Sequence, residues 1–220
     1  GGCLGLPDAD GIYRHEGGDS WSLLADLGAW SRDNPPSFEF DYFLDCGVPF
    51  AMDPFRGGLL VTDGHHNRVL WVSLNGEISE FKGFYNIIPT GLEVHGKTVY
   101  MAQAGEIPHE PEDGSKVISI DAKSLATADV GSGAPLLVDV ESGLGRTLYA
   151  LAQGQWTGFF GPDPGSPADP MPGSLSKINA DGSFTEIVGG LNLPTSLEFI
   201  GNSAYIVNLP GEIWVVEDVS

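Results

Sequence analysis

With 220 residues the chain is long enough for one domain with a sizeable core, and 31 glycines and 16 prolines set between apolar runs exclude a helical bundle. A net charge of −20, from 30 acidic against 10 basic residues, repels phosphate backbones and anionic lipid, so nucleic acid and anionic membranes are excluded as main partners. No apolar run approaches the ~20 residues of a membrane span.

The chain opens on Gly1-Gly2-Cys3-Leu4-Gly5, with neither a charged nor an apolar leader region, so no signal peptide is expected in it. Cys3 and Cys46 form no metal-binding pattern. They are either joined in a disulfide or present as two buried thiols, and the sequence leaves both open. Gly11-Ile12-Tyr13-Arg14 and Trp21-Ser22-Leu23-Leu24-Ala25 read as a hairpin, the last two strands of a partial blade over 11–26. A linker over 27–47 follows.

The next segments repeat one another. Pro89-Thr90-Gly91-Leu92-Glu93 recurs as Pro194-Thr195-Ser196-Leu197-Glu198, each followed by a glycine turn at Gly96 and Gly201. A second strand comes next, visible at Leu59–Asp63, Thr98–Ala102, Thr147–Leu151 and Ser203–Val207. Third strands are read at Arg68–Val72, Lys116–Ile120, Ser174–Ile178 and Glu212–Val216. Asn75-Gly76 and Asp181-Gly182 are hairpin dipeptides that lead to fourth strands, and they predict primed turns with positive φ at the centre.

Four antiparallel strands per unit, repeated, make a β-propeller blade. The sequence therefore predicts an all-β propeller with about 15 to 17 strands and almost no helix. Full blades are expected over 48–82, 89–140 and 146–189, the last without a clear first strand, and a partial blade over 194–217. The excess over a ~40–45-residue blade falls in loops rich in Gly, Pro and acidic residues. Leu92, Leu197, Val61, Met101, Ile206, Val69, Ile118 and Ile213 recur at equivalent points and are expected between blades. The ends either complete one another in a small ring or belong to part of a six-bladed one. In the second case open blade edges predict self-association through Ile12, Leu23 and Trp214.

Leu60-Val61-Thr62-Asp63 with Asn67-Arg68-Val69 resembles the NHL-type blade signature. Together with Leu24–Trp30, Asn34-Pro35-Pro36, the blade from Val48 to Phe81 and the run from Pro89 to Ile120, it resembles the ScyD/ScyE family of secreted propellers, in the NHL/SMP-30-like six-bladed superfamily. That resemblance implies an extracytoplasmic location and a chain matching the C-terminal two-thirds of a six-bladed ring. It implies no agreed reaction.

Chemistry is expected on the face built from the loops between second and third strands. Asp63, Gln103, Gln153 and Asn208 close second strands there, either capping their own loops or presenting the oxygens that Ca²⁺ takes, with Asp63 and Asn208 as the metal pair. His65 and His66 lie in one such loop, with at least one imidazole expected in solvent, and His109 stands in an acidic loop with Glu106, Glu110, Glu112 and Asp113. Trp156, Phe159 and Phe160, in a Gly/Pro-rich loop, are either ligand contacts or a hydrophobic plug over the channel. In the metal-dependent lactonases of the six-bladed class an Asn precedes the Gly of Pro-Asn-Gly. The matching positions here are Thr90 and Thr195, which speaks against that chemistry. The leading expectation is a secreted, non-catalytic propeller that binds a small molecule or protein. The alternative is a metal-assisted hydrolase, lyase or isomerase of the lactonase or strictosidine-synthase type.

Overall fold

In the computed structural model, residues 8–37, 44–107, 114–161 and 166–219 are described. They form a β-propeller fold of antiparallel meanders, divided between two compact units, Gly1–Pro89 and Thr90–Ser220. Among the described residues there are 17 strands, one short α-helix and one 3-10 turn, and six blades are not seen.

In the first unit β1 (Gly11–Gly17) and β2 (Ser20–Asp26) form a two-stranded sheet. The segment expected as linker then holds the helix α1 (Leu27–Asp33), whose first turn is capped by Asp26 Oδ1 accepting from the Ala29 N–H at 2.8 Å. The first full blade follows as β3 (Pro49–Phe55), β4 (Gly58–Asp63), β5 (Arg68–Ser73) and β6 (Ile78–Gly83), hydrogen-bonded in that order. Its core joins Val61, Leu70 and Val72 to Ile12 and Ala25 of the hairpin. Cys46 is buried and disulfide-bonded, whereas Cys3 lies outside the described residues.

Beyond β7 (Pro89–His95) the blade continues through β8 (Thr98–Gln103) and β9 (Lys116–Asp121) to β10 (Thr127–Gly131). The next is β11 (Leu137–Ser142), β12 (Leu148–Ala152), β13 (Gly173–Ile178) and β14 (Phe184–Leu191). The last sheet is three-stranded, with β15 (Pro194–Ile200), β16 (Ser203–Asn208) and β17 (Ile213–Val216).

Three expectations need correction. Leu137–Ser142 does not end the blade that starts at Pro89. It pairs with β12 and is the first strand of the following blade. The true fourth strand, β10, is polar and exposed, so hydrophobic patterning could not find it. At the Asn75-Gly76 and Asp181-Gly182 turns only the glycines have positive φ, 86° and 83°. Gly76 and Gly182 donate to the carbonyls of Ser73 and Asn179, so each turn is an i to i+3 turn closed by a left-handed glycine rather than a primed two-residue turn. Finally, Ile213 is 66% exposed and Trp214 partly buried, because β15–β16–β17 has one face covered and one open, and Ile12 is buried against Val61, Leu70 and Val72. The seven other recurring apolar residues are buried.

Inter-blade packing sets the stability. Leu197 is buried in a cluster with Leu151, Leu175 and Ile206, so Leu197→Ala is expected to cost about 2–5 kcal/mol. Leu144, exposed in the 3-10 turn Leu144–Arg146, is the control: Leu144→Ala should change the denaturant-derived stability by less than about 0.5 kcal/mol.

Candidate functional site

The strand-closing residues expected as ligands are committed to the protein. Asp63 is buried: its Oδ1 accepts from the Val48 N–H at 2.9 Å and its Oδ2 lies 3.3 Å from Arg68 Nε. Arg68, itself buried, also donates to Asn34 O at 2.7 Å, Ser31 Oγ at 3.1 Å and His66 Nδ1 at 2.8 Å, and its guanidinium lies over the Trp30 ring. His66 Nε2 sits 2.7 Å from Leu44 O, so the ring carries its proton there and is neutral. Burial, aided by the Arg68 charge, holds its pKa below 6.5 against the opposing pull of Asp63. This is a buried Arg–Asp–His network that fixes α1 to the blade. Of the two adjacent histidines, His66 is buried and His65 half-buried.

In the second unit Asn208 caps the β16–β17 turn, with Oδ1 accepting from the Glu212 N–H at 2.7 Å and Nδ2 donating to Glu212 Oε2 at 3.0 Å. Gln153 Oε1 accepts from the Ala168 N–H at 3.1 Å, and Trp156 Nε1 donates to Ser166 Oγ at 2.8 Å. Both tether the aromatic loop. Phe159 and Phe160 stand exposed, edge to face. Gln103 is buried with its Oε1 unpaired among the described residues. His109, Glu110, Glu112 and Asp113 lie outside them. Among the described residues no group of three or more His, Cys, Asp or Glu side chains is placed to hold a metal ion, and the oxygens of Asp63 and Asn208 are already engaged.

A different constellation stands on the first strands of the second unit. Position five of each such strand is acidic: Glu93 in β7, Glu141 in β11 and Glu198 in β15. The strands are tied side by side. Thr90 Oγ1 donates to Leu137 O at 2.9 Å, and Asp139 accepts from the Leu197 N–H at 2.7 Å and its neighbour Val140 N–H at 2.9 Å. Gly91 lets β7 approach, since a methyl group there would overlap Asp139 Oδ1.

The result is a tight acidic cluster. Glu93 Oε1 lies 2.6 Å from His95 Nε2 and accepts from Ser142 Oγ, which is in turn 3.0 Å from the same imidazole nitrogen. The Tyr100 ring meets His95 edge to face. Glu141 stands beside Glu93, and its pKa is pushed up to about 10 by burial first, then by the proximity of Glu93, Asp139 and Glu198. Burial likewise raises Asp139 to about 7 against the pull of its two backbone donors. Glu141 is therefore a neutral acid at pH 7 beside Glu93, and the Glu93 and His95 side chains keep 14% and 21% of their surface open. Sequence reasoning passed over this site. The Glu of both Pro-Thr-Gly-Leu-Glu and Pro-Thr-Ser-Leu-Glu was visible, but Leu137–Glu141 was attached to the wrong blade.

No protein-family model matches the chain, and no curated protein does. Solved structures match it in shape. A gluconolactonase from Xanthomonas campestris is 17% identical with a TM-score of 0.54 over 74% of this chain and 56% of its own. A protein described as a putative gluconolactonase is 14% identical with a TM-score of 0.53 over 81% of this chain and 65% of its own. The computationally designed Ika4 protein is 10% identical with a TM-score of 0.51 over 78% of this chain and 91% of its own. These likenesses establish the propeller fold. This chain spans less than two thirds of either gluconolactonase chain.

The raised carboxyl pKa values fix a direction of pH dependence. A carboxyl whose folded pKa lies above its unfolded value binds its proton more tightly when folded. Its stabilisation is complete below the unfolded pKa and is lost as pH rises through the folded one. For Glu141 that window runs from 4.5 to about 10, and for Asp139 from 3.8 to about 7. Thermal melts between pH 7 and 10, above the range of Asp139 and His66, should show the wild-type midpoint falling with pH and that of Glu141→Gln falling much less.

Proposed function

We propose that this protein is a propeller hydrolase of the lactonase type, acting on a small cyclic ester through Glu93 and Glu141. The observation that carries the reading is the pair of neighbouring carboxyls, Glu141 held neutral by burial and Glu93 held at Oε1 by His95 and Ser142. Two carboxyls driven to different protonation states by their surroundings are the usual basis for assigning an acid and a base. Matched propeller structures described as a gluconolactonase and a putative one favour this over a non-catalytic binding module, which finds no support in those matches. The loop residues expected to bind a ligand are largely spent on holding the loops. Affinity with the ScyD/ScyE propellers, and the extracytoplasmic location that goes with it, rest on the NHL-type residues Asp63, Asn67 and Arg68.

Water bound beside Glu93 attacks the ester carbonyl and gives its proton to that carboxylate as the new C–O bond forms. As the ring C–O bond breaks, Glu141 delivers its proton to the departing oxygen. Proton transfer from Glu93 to the neighbouring Glu141 then restores both groups, and the product is the open hydroxy acid. His95 and Ser142 hold Glu93 through its Oε1.

General acid–base groups of this kind contribute about 10²–10⁴-fold to rate. Glucono-lactone and a panel of simple lactones, assayed at pH 6–7, should be opened by the wild type. Glu93→Gln and Glu141→Gln should each lose at least about 100-fold in kcat/KM while still melting cooperatively. A wild type that opens no lactone, or variants that match it, would overturn the assignment.

A further inference from the structure

Within the first unit α1 is held in two ways, one at each end. Its first turn is fixed by apolar packing and by backbone. Leu27 is buried with Ile12, Val61 and Leu70, and the Gly28 N–H donates to Asp10 O at 2.8 Å. The last turn hangs on one side chain. Arg68 Nη1 donates to Asn34 O, Nη2 donates to Ser31 Oγ, and the guanidinium lies over the Trp30 ring. A helix of seven residues has too few internal hydrogen bonds to keep that end ordered without an anchor.

Arg68 keeps this posture because His66 accepts from it. The ring gives its Nε2 proton to Leu44 O, which leaves Nδ1 as the acceptor, 2.8 Å from Arg68 Nη2 and 3.3 Å from Asp63 Oδ2. A proton on Nδ1 turns that acceptor into a donor. It then faces Arg68 Nη2, also a donor, and the two must part. The new N–H is drawn to Asp63 Oδ2, the oxygen that Arg68 Nε and Ser31 Oγ already approach at 3.3 and 3.5 Å. Nε2–H still donates to Leu44 O, so the ring stays in place and Arg68 is the group that yields.

Charge acts in the same direction. Asp63 and Arg68 cancel, and a proton on His66 leaves the buried cluster with one positive charge in surplus. The other charged groups that face it are Asp45 and Glu80, the latter 3.8 Å from Arg68 Nη1, and both are exposed and screened by water. From α1 only neutral groups reach the network, the Trp30 ring, Ser31 Oγ and Asn34 O. Burial, the largest influence on His66, sets the closed form against the proton and its pKa below 6.5. A ring reached by water takes the proton near 6.5, so opening is favoured as pH falls below that value and until the closed form itself titrates.

We infer that His66 is an acid-sensitive latch on α1: one proton at Nδ1 frees the last turn, residues 30–34, while the first turn and the blade stay in place. This inference is independent of the proposed chemistry.

Amide hydrogen exchange of the full chain, resolved by NMR and corrected for the intrinsic pH dependence of exchange, tests it from pH 7 down to about pH 5. The Asn34 N–H, bonded to Trp30 O, reports the last turn. The Gly28 N–H on Asp10 O and the Ser73 N–H on Glu77 O are references for the first turn and the blade. Opening at Asn34 is expected to rise by up to about tenfold for each pH unit below 6.5, with both references unchanged. His66→Gln can still donate to Leu44 O but takes up no proton, so its opening at Asn34 should not vary with pH, whatever its level. Cooperative melting checks that the variant folds, and His66→Asn replaces it if it does not. Opening at Asn34 that stays flat in the wild type, a slope that survives in the variant, or one that the references share would each overturn the proposal.

Discussion

A twisted four-stranded blade has an apolar surface on both sides and cannot bury either alone, and everything else in this protein follows from that constraint. Each blade must be covered by its neighbours. Val117 and Ala102 are therefore buried under Val140 and Ala150, and Leu197 under the blade before it. The same requirement brings the first strands together, because they carry the residues that interlock from blade to blade. Thr90 to Leu137 O and Asp139 to the Leu197 N–H are the polar links of that packing.

The candidate site is a by-product of repetition under this constraint. When strands with an acidic fifth position are packed side by side, Glu93, Glu141 and Glu198 are brought near one another, and burial leaves too little water to keep every carboxylate charged. Glu141 keeps its proton, and Asp139 loses its own only near pH 7. Elsewhere the chain solves a buried charge differently: Asp63 is matched by Arg68, and the network holds because each partner is satisfied. Two acids, two environments and two different consequences come from the same blade architecture.

Much of this was legible in the residues. The Pro-Thr-Gly-Leu-Glu repeat, the aromatic second strands and the Asn-Gly and Asp-Gly turns are enough to specify four-stranded units. The fourth strand Thr127–Gly131 was not legible, because an outer strand facing solvent has no apolar period to read. Losing it moved Leu137–Ser142 into the wrong blade and hid the equivalence of Glu141 with Glu93 and Glu198. Ile213 misled for the opposite reason: its repeat position says buried, yet only a neighbouring blade can bury it. Asp63 and Asn208 have the right atoms for a cation, but local donors claim those atoms first, and hydrogen bonds of that kind are not written in spacing.

The central claim is that Glu141, buried beside Glu93, retains its proton at neutral pH. Carbon-13 NMR of protein labelled at the glutamate side-chain carboxyls tests it most directly. One carboxyl signal should stay in the protonated position at pH 7, move only as pH approaches about 10, and be missing in Glu141→Gln. A spectrum in which every glutamate, Glu141 included, titrates near the ordinary 4.5 would contradict the account.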